Sequence, residues 1–259
     1  MSGSRVAVVT GGSRGIGRGI VRELAKLGFA IGINYRSDAS AAASARDEAI
    51  ELGATKVALL KADISDIEES QALVESAVAE LGPLDLWVNN AGIAPDVRLD
   101  MLETTAASWD RVLATNLRGP FFLTRAVAQS MIKRKEGDDA ADPQIVFITS
   151  VSSVMASVAR GEYCVAKAGL SMVARLFAVR LAEHGVRVHE IRPGIIATEM
   201  TGSVKELYDR RIAAGLSPIR RWGTPEDVGR AVSAIASGAF PFSTGTVFDI
   251  DGGLQLPRL

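Results

Sequence analysis

The chain has 259 residues, 47% apolar and 23% charged, with 29 basic side chains against 30 acidic ones. That length supports a sizeable core, and a formal net charge of -1 with no basic tract leaves no electrostatic footprint for nucleic acid. A single cysteine, Cys164, excludes an internal disulfide framework, no apolar run reaches membrane-spanning length, and no signal-peptide core precedes the first apolar segment; a soluble cytoplasmic protein is expected.

The first apolar run, VAVVT (6–10), leads into VVTGGSRGIGRGI (8–20) and a helix-length stretch over 15–27. Gly11, Gly15 and Gly17 mark backbone that must turn sharply or approach a neighbour closely. A helix N-terminus after such a turn presents free N–H groups and a positive dipole end, which suits a pyrophosphate. The spacing is G-x-x-x-G-x-G rather than G-x-G-x-x-G, so a plain turn with no ligand stays open at this point.

The second run, AIGIN (30–34), ends in Tyr35, Arg36 and Ser37, with no acid before Asp38. Dinucleotide folds that prefer NAD place an acid near this point, whereas arginine accommodates a 2′-phosphate. Arg36, with Arg14 from the glycine turn, therefore favours NADP(H), with NAD(H) left open. Further apolar runs follow at 57–61, 84–89, 145–150, 186–191 and 246–250, separated by helix-length stretches at 39–52, 67–81, 108–132, 163–184 and 225–237. Continuous apolar strands alternating with helices predict an α/β, Rossmann-like, doubly wound parallel sheet of about seven strands, helices on both faces, in one domain over 1–259.

Within 108–132, Gly119-Pro120 interrupts the helical pattern, and the proline frees the carbonyl of Asn116 four residues earlier. KRKEGDDAADPQ (133–144) reads as a polar surface excursion. In EYCVAKAGL (162–170), Tyr163 and Lys167 share a helix face that continues through Leu170, Ala174, Phe177 and Leu181. A lysine on that stripe either snorkels to water or serves a purpose that offsets its dehydration. The stretch from 195 to 224 contains short helices without a strand and reads as a substrate loop, with Met200, Val204, Leu207, Tyr208, Leu216 and Trp222 as a partly apolar cover. The terminal Leu254, Leu256 and Leu259 either dock on a neighbouring subunit or cover their own sheet. His184 and His189 read as surface or hydrogen-bonded residues, no cluster has metal-ligand spacing, and Cys164 reads as a small packed residue.

The glycine turn, NNAG (89–92), the serine of FITS, Tyr163-x-x-x-Lys167 and RPG (192–194) occur in an order and spacing that resembles the classical short-chain dehydrogenase/reductase family over essentially the whole chain. Within that family the chain is most similar to reductases of the 3-oxoacyl-carrier-protein type and to sugar- or alcohol-oxidising relatives. The resemblance implies hydride transfer between a nicotinamide and a carbonyl or secondary alcohol. It makes Tyr163 the proton donor or acceptor, Ser150 the hydrogen-bonding partner of the substrate oxygen, Lys167 a partner of the nicotinamide ribose, and Asn116 the holder of a relay water. Ser152 and Ser153 adjoin Ser150, which is preferred on its spacing from Tyr163. For the dinucleotide surface it implies Gly11, Ser13, Arg14, Gly15, Ile16, Gly17, Tyr35, Arg36, Ser37, Asp63, Ile64, Asn90, Ala91, Gly92, Pro193, Gly194, Ile196 and Thr198. Asn90 has the alternative task of stitching strands together.

A lysine cation about 5 Å from the phenol, at an effective dielectric of about 20, contributes roughly 3 kcal/mol and is expected to bring Tyr163 down to roughly pH 8. The family commonly forms homotetramers through its two long central helices. Carrier-protein reductases display basic residues beside the site; Lys133, Arg134 and Lys135 are candidates, but an acidic run follows them, and His184 stands where an arginine is frequent. A sugar or polyol substrate is the rival reading within the family, and a non-catalytic dinucleotide sensor or scaffold the rival from another class.

Overall fold

Runs of β-branched and aliphatic residues four to seven long become seven parallel strands: β1 Val6–Val9, β2 Ala30–Tyr35, β3 Lys56–Lys61, β4 Leu86–Asn89, β5 Gln144–Ile148, β6 Arg187–Pro193 and β7 Val247–Ile250. The five interior strands are largely buried on both faces, while the edge strands β3 and β7 are partly exposed. The computed structural model describes residues 4–258; Leu259 lies outside them. The strand order is β3-β2-β1-β4-β5-β6-β7. Successive residues of β1 point to opposite layers: Val6 and Val8 enter one core with Trp87, Leu123, Phe147 and Leu170, while Ala7 and Val9 enter the other with Ile20, Leu24, Ile33 and Val232. Each fully buried side chain of this kind contributes about 1.5–3 kcal/mol.

The first layer is covered by α3 (Ile67–Leu81), α5 (Gly119–Gly137) and α6 (Gly161–Leu181), the second by α1 (Gly15–Lys26), α2 (Ala39–Glu51) and α8 (Pro225–Ala236). Local chemistry sets their ends. Asp66 caps α3 by accepting from the N–H groups of Glu68 and Glu69, and Gly82 ends it at φ 100°. Thr224 and Asp227 form a reciprocal cap at α8, with Pro225 in the first turn. Two shorter helices complete the chain: α4 (Ala106–Leu113) before α5, and α7 (Lys205–Ala213) within the long segment after β6.

The neighbours of β1 are β2 on one side and β4 on the other, so the crossovers reverse direction there and open a crevice at the carboxyl ends of the strands. Three expectations need correction. The stretch 133–144 is not all surface loop, since α5 runs to Gly137 and only 138–143 is irregular. Its basic residues sit at the end of the sheet away from the crevice, because α5 runs antiparallel to the strands. Arg134 bonds the carbonyl of Pro83 and pairs with Asp85 at 2.6 Å, while Lys135 pairs with Asp139. His189 is neither exposed nor hydrogen-bonded: it is fully buried on β6 beside Phe248, and both ring nitrogens lack a partner. Burial pushes its pKa down to about 4, assisted by Arg187 and opposed by Asp142.

Candidate active site

The crevice holds two adjoining cavities with Tyr163 on their common wall. The larger, about 380 Å³, lies over β1, β2 and β4. Its floor is the glycine turn. Gly15 has φ 51°, and a Cβ on Gly17 would stand 2.1 Å from the carbonyl oxygen of Gly11, so neither position admits a side chain without distortion. No side chain caps the start of α1, which leaves its first-turn N–H groups for a ligand. Asn34 fixes the turn from below: it accepts from Gly11 N–H and donates to the carbonyls of Leu60 and Ala62 on β3 and just beyond it. Thr10 Oγ1 accepts from the N–H groups of Asn90 and Ala91, and Asn90 Nδ2 donates to the Thr10 carbonyl at 2.8 Å. Asn90 thus both stitches β1 to β4 and lines the cavity.

Ser13, Arg14, Ile16, Tyr35, Arg36, Asp63, Ile64, Ala91, Gly92, Lys167 and Thr198 line the same cavity, as do Gly11, Gly15 and Gly17. Ser37 does not, because the chain has already turned toward α2 there, with Asp38 capping that helix. Pro193, Gly194 and Ile196 line the second cavity instead, since two strands, β4 and β5, separate β6 from β1. Sequence reasoning did not assign Asn34, Ala62, Ile93, Thr115, Ile148, Thr149, Glu199 or Met200 to the dinucleotide cavity, all of which line it. The two guanidinium groups expected to receive a phosphate each face acids in this structure. Arg14 Nη1 is 3.6 Å from Asp38 and 3.4 Å from Glu199, and Arg36 is 4.0 Å from Asp63, both arginines being exposed.

The second cavity, about 260 Å³, is bounded by Ser150, Tyr163, the loop after β4 and the segment over residues 195–216. Ser150 lies beyond β5, not within it, and starts a short 3-10 turn by accepting from Ser152 N–H at 3.1 Å. That bond occupies a lone pair and leaves the hydroxyl proton to donate. Of the expected apolar cover, Met200, Tyr208 and Leu216 line the cavity; Val204, Leu207 and Trp222 do not. Trp222 instead packs edge-on against Tyr208 at 6.0 Å and donates to Asp209. Leu254, from the C-terminal segment, also lines this cavity, whereas Leu256 is exposed.

Lys167 does not snorkel. Only 4% exposed, it donates to the Ile148 carbonyl at 2.9 Å, and its ammonium lies 5.8 Å from the centre of the Tyr163 ring. Burial pushes its pKa down to about 8, and Glu190 pulls it back up. Glu190, missed in the sequence, is 1% exposed; it accepts from Thr149 Oγ1 at 2.6 Å and from Ser171 Oγ at 2.7 Å, and pairs with Arg192 at 3.1 Å. Thr149 adjoins the carbonyl that holds Lys167, and Ser171 is one helical turn beyond it, so this carboxylate braces the lysine from strand and helix together. Its only sequence signal was a charged pair, Glu190 and Arg192, inside an apolar strand.

The Tyr163 phenol departs from expectation in the opposite direction. Burial raises its pKa above 10, and the Arg160 guanidinium and Ser150 hydroxyl bring it only part of the way back. Burial sets the direction, because the wall packed around the phenol dehydrates the phenolate. Asn116 is fully buried in a π-helical turn, Ala114–Arg118, with Pro120 in the turn that follows. Its side chain clasps the loop after β4, accepting from Ile93 N–H and donating to Ile93 O, both at 2.8 Å. Among the described residues no group of three His, Cys, Asp or Glu side chains could hold a metal, and no helix is long and apolar enough to cross a membrane.

A family model described as Enoyl-(Acyl carrier protein) reductase matches residues 11–255. The chain belongs to the short-chain dehydrogenase/reductase family. It is 34% identical over 254 residues to a 3-oxoacyl-[acyl-carrier-protein] reductase of Synechocystis sp., covering 98% of each chain, and 36% identical to Nodulation protein G of Azospirillum brasilense, covering 97% of this chain and 98% of that protein. Among solved structures, a 3-oxoacyl-[acyl-carrier protein] reductase from Brucella melitensis in complex with NAD superposes with a TM-score of 0.91 at 42% identity over 100% of both chains. A protein described as a putative gluconate dehydrogenase from Agrobacterium tumefaciens superposes with a TM-score of 0.90 at 32% identity, covering 99% of this chain and 98% of that one. The protein is thus an oxidoreductase that uses a nicotinamide dinucleotide. The side-chain-free glycine floor and uncapped α1 fit such a cofactor.

Proposed function

We propose that the protein interconverts a carbonyl and a secondary alcohol, with Tyr163, Ser150, Lys167 and Asn116 as its working residues. One observation carries the reading: Tyr163 stands on the wall common to the two cavities, with Ser150 beside it on the substrate side and buried Lys167 on the dinucleotide side. Two hydroxyls converging on one position suit a single substrate oxygen. Reduced nicotinamide, when bound, supplies the hydride. A phenol held above its ordinary pKa is protonated at neutral pH and serves as the acid for reduction. Ser150 donates to the same oxygen and steadies its developing charge. Lys167, a cation below about pH 8, holds the nicotinamide ribose, and Asn116 sets the loop at Ile93 that walls the site.

NADP(H) is the preferred dinucleotide in this reading, because Arg14 and Arg36 flank the cavity where β2 ends without an acid. The resemblance to 3-oxoacyl-carrier-protein reductases supports reduction as the working direction. Exposed Val165, Met172, Leu176 and Val179 along α6, with Phe121 on α5, support self-association into the homotetramer usual in the family. The test is Tyr163→Phe. With a panel of ketones, acyl thioesters and sugar alcohols, followed by nicotinamide absorbance, the variant is expected to lose about a thousandfold or more in kcat while dinucleotide affinity changes less than about threefold. Retained turnover would remove Tyr163 from the chemistry.

A further inference from the structure

Three arginines line the substrate cavity, and no carboxylate does. Arg98 comes from the loop after β4, Arg160 from the turn before α6 and Arg211 from α7. None of them forms an ion pair among the described residues, unlike nearby Arg14, Arg36 and Arg111, which face Asp38 and Glu199, Asp63, and Asp96. Arg160 Cζ lies 5.3 Å from the centre of the Tyr163 ring, and its Nε is buried with no partner. The neighbouring acid, Glu162, turns away and accepts from Ser108 at 2.8 Å. Arg160 thus bears on the reacting end of the cavity, Arg98 lines the same cavity, and both favour a negative charge at the Tyr163 hydroxyl. Arg211 lies 6.0 Å from the Tyr208 ring, which Trp222 supports in turn.

From this arrangement we infer that the substrate is a small carbonyl compound carrying its own anionic group, a carboxylate or a phosphate, received by Arg160 and Arg98 with Arg211 closing from the lid. Planar guanidinium donors with no internal acid to satisfy them are the usual partners of such anions. A cavity of about 260 Å³ that abuts the Tyr163 ring takes a compact acid; an acyl thioester on a long carrier arm brings no charge to that depth. The inference rests on the proposed carbonyl chemistry. The carbonyl carbon gains a hydride, its oxygen gains the Tyr163 proton, and the reduced dinucleotide is left oxidised.

The experiment compares matched probes on the full chain with NADPH and NADH: 4-oxopentanoate against its methyl ester, and dihydroxyacetone phosphate against dihydroxyacetone. The anionic member of at least one pair is expected to exceed its neutral partner about tenfold or more in kcat/KM, and the preferred pair identifies the anion. In Arg98→Gln and Arg160→Gln that ratio falls toward one, chiefly through KM for the anion, and Arg211→Gln gives a smaller fall. Malonate, which lacks a ketone, is expected to compete with the preferred anion in the wild type and not in Arg98→Gln; malonamide does not compete in either. Equal or faster turnover of the neutral partners, or a ratio unchanged in all three variants, overturns the anionic-substrate assignment while leaving carbonyl reduction intact. If no probe turns over, calorimetry of malonate with the dinucleotide complex decides, and failure to bind overturns the assignment. Failure of the underlying reading looks different: full activity in Tyr163→Phe.

Discussion

The two cavities that meet at Tyr163 are built from different materials. On the dinucleotide side the surface is largely backbone: glycines that admit no Cβ, free N–H groups at the start of α1, and buried Asn34 and Thr10 with half-buried Asn90 holding that backbone still. On the substrate side the surface is side chains delivered by separate segments, with Arg98, Arg160, Met200, Tyr208, Arg211 and Leu254 converging from loops, α7 and the C-terminal segment. A backbone surface binds what is common to all dinucleotides and tolerates little change. A side-chain surface can be rewritten one residue at a time, which is where specificity in a widely used fold is expected to lie.

That contrast can be broken most severely at Gly17. A methyl group there meets the Gly11 carbonyl, so Gly17→Ala is expected to weaken dinucleotide binding about a hundredfold and to lower the melting temperature, as read by fluorescence titration and thermal unfolding. Normal binding in this variant would show that the floor moves freely. Next in size is the exchange Arg36→Asp, expected to shift the NADP(H)/NAD(H) ratio of kcat/KM about tenfold or more toward NAD(H). A parent enzyme using both equally would already undermine the assigned role of Arg14 and Arg36.

Glu190→Gln sharpens the comparison where the two sides join. Removing the carboxylate takes away the charge that raises the Lys167 pKa, so the cation is lost at lower pH and the alkaline limb of kcat/KM is expected to move down by about one unit from near 8. Unfolding curves recorded alongside separate this from loss of the Arg192 pair, which shifts stability without moving the limb. The remaining effect lies away from both cavities. His189 is held neutral in the fold down to about pH 4 but protonates near 6.5 once unfolded. Stability is therefore complete above about pH 6.5 and falls as pH drops toward 4, by up to about 3 kcal/mol. Urea midpoints at pH 7 and pH 5 should show a smaller difference in His189→Phe, and an equal difference would place the acid sensitivity elsewhere.

Strands, crossover helices and glycine turn were legible because they follow from local rules. Apolar runs marked the strands, and Gly119-Pro120 marked the place where the helix widens around Asn116. Helical spacing also placed Tyr163 and Lys167 on one face. What it could not give was their protonation, because the field of a lysine depends on spacing whereas the loss of water depends on every wall packed around the pair. Burial set the direction, and the phenol rose where a simple charge argument had it fall.

The amino-acid sequence by itself fixed the parallel sheet, the dinucleotide turn and the family, since periodicity and short spacings act within a single element. Tertiary packing alone settled that Glu190 braces Lys167, that Asn116 clasps Ile93, that Lys133, Arg134 and Lys135 lie away from the site, and that Arg98, Arg160 and Arg211 surround one cavity. These are meetings between residues far apart in the chain. No local preference encodes them, and only the closed fold determines which charges keep water and which must find one another.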